Sequence, residues 1–63
     1  MADGDRLNKL RHDLANPLSA ILAETQLLLL DATKLPEDAV TSLRQIESLA
    51  IRMRTLLREG DPS

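Results

Sequence analysis

At 63 residues the chain makes one small domain at most. It has no Cys, which excludes disulfides and thiolate metal sites, and no Phe, Trp or Tyr, which leaves an aliphatic core and no platform for stacking bases. Acids and bases are interspersed around a formal net charge of -2, so there is no basic footprint for nucleic acid or an anionic membrane.

The chain opens on Met1-Ala2-Asp3-Gly4-Asp5, acidic where a secretory signal would be basic, and residues 1–4 read as a flexible end. A first helix is expected over about residues 5–30. Its apolar stripe is Leu7, Leu10, Leu14, Leu18, Ile21, Leu22, Leu28 and Leu29, in the steps of three and four that a helix facing a core requires. The longest uncharged stretch, residues 14–23, is about half the length needed to span a bilayer. The expected compartment is therefore the cytoplasm, either free or as the cytoplasmic part of a membrane-bound parent protein.

The junction is Asp31-Ala32-Thr33-Lys34-Leu35-Pro36. Leu35 precedes a proline and is pushed out of the helical region. Pro36, Glu37 and Asp38 fit a helix start, with proline in the first turn and acids at the positive end of the dipole. The second helix is expected over about residues 36–58, with Leu43, Ile46, Ala50, Met53 and Leu57 on its apolar face and Leu49 and Leu56 widening it. Arg52, Arg54 and Arg58 suit its negative end. Residues 60–63 read as a second flexible end, leaving residues 5–59 as the folded unit.

A short connection between two long helices implies an all-α, antiparallel two-helix hairpin. Two helices packed once bury too little apolar surface to offset the ordering of 63 residues, and no disulfide makes up the difference. A lone histidine also makes a structural metal an unsuitable staple. Self-association remains, and stripes this wide suit helices that touch two neighbours. The expected assembly is a homodimer forming a four-helix bundle.

Pro17 conflicts with the first helix. It either starts a new helix capped by Asn16 or kinks one that continues, and the stripe keeps its phase from Leu14 to Leu18 and Ile21. Nearby stands the only histidine. At about 100° per residue His12 lies roughly 160° from the middle of the stripe, on a face shared with Asn8, Ala15, Asn16, Ser19 and Ala23. An exposed histidine alone is usually a solvated side chain.

The string His12-Asp13-Leu14-Ala15-Asn16-Pro17-Leu18 resembles the H-box of sensor histidine kinases. In that family the phosphorylated histidine is followed by an acid, an apolar residue, two variable or polar positions, then proline and leucine. Ala15 departs from it, standing where Arg or Asn is more frequent. The resemblance extends from about Arg6 to Leu57. It implies a dimerisation and phosphoacceptor hairpin whose first helix runs on through Pro17. It further implies that His12 takes the γ-phosphate of ATP and passes it to an aspartate of a response regulator receiver domain.

The residues fit those tasks. Neutral imidazole is a good nucleophile near pH 7. Asp13 could accept a hydrogen bond from the other ring nitrogen, orienting the ring and stabilising charge as the bond forms. Asn16 lies one turn past His12, and the family uses this position to hold water for dephosphorylating the partner's aspartate. Ile51 lies roughly 120° off the second helix's stripe. Ile51, Thr55 and Ser19 are expected at the contact with a docking partner. There is no Gly-rich or Walker-type loop, so the chain is not expected to be active alone: ATP and Mg belong on a separate catalytic domain, with no cofactor or metal site in this chain. Two rival readings remain, a free-standing phosphorelay shuttle and a structural dimerisation hairpin that takes no phosphate.

Overall fold

The computed structural model describes residues 2–59, with side chains from Gly4 onward. The elements are α1 (Ala2–Leu29), a 3-10 turn (Ala32–Lys34) and α2 (Glu37–Glu59), and the two helices pack against each other as a hairpin. The Cα atoms span 51 × 16 × 15 Å. Since one helix with its side chains is about 10–12 Å across, such a rod has a seam and no interior.

α1 is one helix of 28 residues with Pro17 inside it, so the continuous reading holds and Asn16 caps nothing. Proline has no N–H and leaves the carbonyl of residue i−4, here Asp13, without its helical partner. The N-terminus differs from expectation. α1 begins at Ala2, so residues 2–4 belong to the helix. Asp5 favours this by lying at the positive end of the dipole. Residues 60–63, expected to be flexible, lie outside the described residues.

The junction follows its local chemistry. Leu35 adopts φ -106° and ψ 151°, the extended conformation imposed by the next proline. Pro36 stands one position before the first helical residue, and its carbonyl accepts a hydrogen bond from the Val40 N–H at 3.1 Å. It therefore occupies the cap position, where its missing N–H costs nothing, and not the first turn. The turn between the helices is tighter than a plain loop, with Lys34 N–H donating to Asp31 O at 2.9 Å and Leu35 N–H to Ala32 O at 3.1 Å.

Packing splits each expected stripe in two. The seam is narrow: Leu18, Leu22, Thr25 and Ala50 are buried, and Leu57 packs against them half-buried. Ala15 and Leu29 of α1 and Leu43, Glu47 and Arg54 of α2 flank this seam half-buried. Thr25 satisfies its hydroxyl within the helix by donating to Ile21 O at 2.7 Å. Gln26 Nε2 donates to Glu47 Oε2 at 3.3 Å across the seam and helps fix the register. The remainder of both stripes faces outward. Leu7, Leu10, Leu14, Ile21 and Leu28 of α1 and Ile46, Leu49, Met53 and Leu56 of α2 are all exposed. The chain exposes 5244 Å², about 1,200 Å² more than the ~4,000 Å² of a compact monomer of its mass.

Candidate functional site

On helical wheels the outward apolar residues of both helices fall roughly 70–100° on average to one side of the seam, and His12 falls roughly 100° to the other. The hairpin thus has an apolar side and, opposite it, a polar side carrying the histidine. On that polar side a shallow groove of about 240 Å³ runs between the helices. Asn8, Arg11, His12, Ala15 and Ser19 of α1 form one wall, and Arg54, Leu57 and Arg58 of α2 form the other. The helical repeat explains the first wall, because residues 8, 12, 15 and 19 recur in steps of four and three. Asn8, His12 and Ser19 are exposed, whereas Arg11, Ala15 and Arg54 are half-buried.

The groove collects only part of the expected set. His12 and Ser19 share it. Asn16 is exposed on the same side of α1 but does not line the groove. Asp13 is exposed roughly 100° around the helix from His12, on the face that points away from α2. Thr55 sits between the groove residues Arg54 and Leu57 without lining it, and its hydroxyl donates to Ile51 O at 3.0 Å. Ile51 is 39% exposed, one turn nearer the interhelical turn. Arg11 makes its side-chain hydrogen bond to Asn8 Oδ1, at 3.0 Å.

Sequence reasoning missed Arg11, Arg54 and Arg58 as members of this site. In the sequence Arg54 and Arg58 stand out only as cations suited to a helix end. The signal lay in the hairpin register, which brings Arg54, Leu57 and Arg58 in the last turns of α2 beside the stretch of α1 from Asn8 to Ser19. Among the described residues there is no group of three or more His, Cys, Asp or Glu that could hold a metal ion. No helix among them is long and apolar enough to cross a membrane.

A family model described as His Kinase A (phospho-acceptor) domain matches residues 3–59. The chain belongs to that family. The match spans both helices and the whole groove side, so it covers the hairpin and not the H-box alone. Membership makes the chain a phospho-acceptor and dimerisation module of the histidine kinase type. No curated protein and no solved structure gave a significant match. This His Kinase A domain carries its sole histidine in an exposed position on α1, in one groove with Arg11, Arg54 and Arg58.

Proposed function

We propose that this His Kinase A domain receives the γ-phosphate of ATP on His12 and passes it to an aspartate of a response regulator receiver domain. The single observation that carries the reading is the exposed histidine at the head of an H-box string within a family match over residues 3–59. In the first step an imidazole nitrogen lone pair attacks the γ-phosphorus, the bond to the bridging oxygen breaks, ADP leaves and the ring gives up a proton. In the second an aspartate oxygen attacks the same phosphorus, the P–N bond breaks and the ring regains its proton. ATP and Mg are supplied by a separate domain.

Asp13 and Asn16 are assigned separate tasks. Asp13 orients the ring and stabilises its charge from the side away from α2, where an ATP-binding domain has room to dock. Asn16, exposed one turn beyond His12, holds the water that attacks the partner's phosphoaspartate. Ser19, Thr55 and Ile51 border the receiver's landing area.

The working form is a homodimer with the apolar sides of two hairpins packed into a four-helix bundle. The exposed row of leucine, isoleucine and methionine supports this. So does the surplus of about 1,200 Å² per chain, which matches the area each partner of an obligate homodimer buries. Docking from the opposite side would leave His12 free. The test is incubation with an ATP-binding domain and ATP, followed by mapping of acid-labile phosphate. Label on His12 that chases onto a receiver domain is the expected result. A dimer that takes no label would favour the structural hairpin.

A further inference from the structure

The groove beside His12 is lined by three arginines, Arg11, Arg54 and Arg58, and by no acidic residue among the described ones. We propose that these arginines form a phosphoryl-anion subsite that holds the group carried by His12 of the same hairpin. The inference rests on the reading of His12 as phosphoacceptor and adds to it the residues that grip the phosphoryl oxygens.

Size and charge support a phosphoryl group as occupant. At about 240 Å³ the groove is smaller than sites for drug-sized ligands, which begin near 300 Å³, so it suits a phosphoryl group better than a whole nucleotide. The groove also lies at the C-terminal end of α2, where the helix dipole places about half a negative charge. An anion would be repelled there, but three full positive charges outweigh that half charge. Guanidinium is suited to this task, since its planar fork matches paired phosphoryl oxygens. Arg11 reaches Asn8 with one nitrogen, and a guanidinium keeps further N–H donors for an anion. Arg54 is half-buried, so its stem is restrained by packing and its head loses less freedom on binding. Because Arg54 and Arg58 belong to the α2 of the same chain, the subsite serves its own histidine.

Two arms test this with the dimeric protein, and neither needs an ATP-binding domain. Inorganic phosphate is titrated against the protein while the arginine Nε–H resonances are followed by NMR. Separately, phosphoramidate is used to phosphorylate His12: the imidazole lone pair attacks phosphorus, the P–N bond breaks, ammonia leaves and a ring proton passes to solvent. Saturable shifts of Arg54 and Arg58 with inorganic phosphate are expected, together with larger shifts of the same resonances once His12 is phosphorylated. Arg54→Gln combined with Arg58→Gln should weaken phosphate binding roughly tenfold, about 0.7 kcal/mol for each of two solvent-screened charge pairs. Arg54→Lys should fall between, and Arg58→Gln alone covers the case in which Arg54 variants lose helicity. Unchanged phosphate affinity in the double variant, or arginine resonances that ignore phosphorylation, would overturn the subsite. Failure of ATP-dependent labelling would bear on the phosphoacceptor reading alone, because both arms here work without it.

Discussion

His12 stands exposed on the polar side of the hairpin. No bulky apolar side chain lines its wall of the groove, and the charged residues that line the groove with it are Arg11, Arg54 and Arg58. His12→Gln should keep helicity and self-association but take up no acid-labile phosphate, read by phosphosite mapping. Labelling that survives would move the acceptor elsewhere. The proposed roles of Asp13 and Asn16 can be told apart by timing the two half-reactions. Asp13→Asn should slow phosphate arrival by about 10²- to 10⁴-fold, the usual range of acid–base assistance. Asn16→Ala should leave arrival nearly intact and reduce dephosphorylation of the receiver. Each half-reaction is timed separately with both partner domains present. Both side chains are exposed and Asn16 caps no helix break, so neither change should shift the melting temperature much.

At the scale of the element, α1 has to be both rigid and interrupted. Pro17 removes one backbone hydrogen bond a single turn after His12, yet the helix runs on because Leu18 and Leu22 anchor the following turns in the seam. Leu22→Ala should cost about 2–5 kcal/mol in chemical denaturation, since this side chain is 95% buried where little else is. The first turn of α1 has slack. A Cβ added at Gly4 would meet nothing within 4 Å. Gly4→Ala should therefore raise helicity and stability by up to about 1 kcal/mol, with less at a fraying end. A loss of stability would mean that the first turn of α1 does not form in solution.

The whole molecule is a seam with one greasy side and one charged side. Substitutions on the two apolar rows should have different consequences. Leu14, 44% exposed, belongs to the outward row. Leu14→Asp should weaken the dimer, lowering the mass seen by light scattering and helicity along with it. Leu43 lies half-buried in the seam, so Leu43→Asp should unfold the hairpin at any concentration by burying an unpaired charge. If Leu14→Asp stays a fully helical dimer, the bundle is built on another face.

The sequence alone was enough for two helices, their antiparallel hairpin, the extended Leu35 and an exposed His12 beside an H-box. These follow from local rules: a 3.6-residue repeat, the steric demand of proline and the placement of charges at helix ends. What it could not resolve was which leucine faces what. A stripe serving two neighbours reads as one broad band, and only the packed hairpin divided it into a buried row through Leu18 and Leu22 and an exposed row through Leu14 and Ile21. Nor could it pair residues far apart in the chain. The register of α1 against α2 brings Arg54 and Arg58 beside His12 and leaves Asp13 turned away. That register depends on how Leu18, Leu22 and Ala50 interlock and on the Gln26–Glu47 hydrogen bond. Periodicity along one helix carries no information about its level against another, so tertiary packing alone decided it.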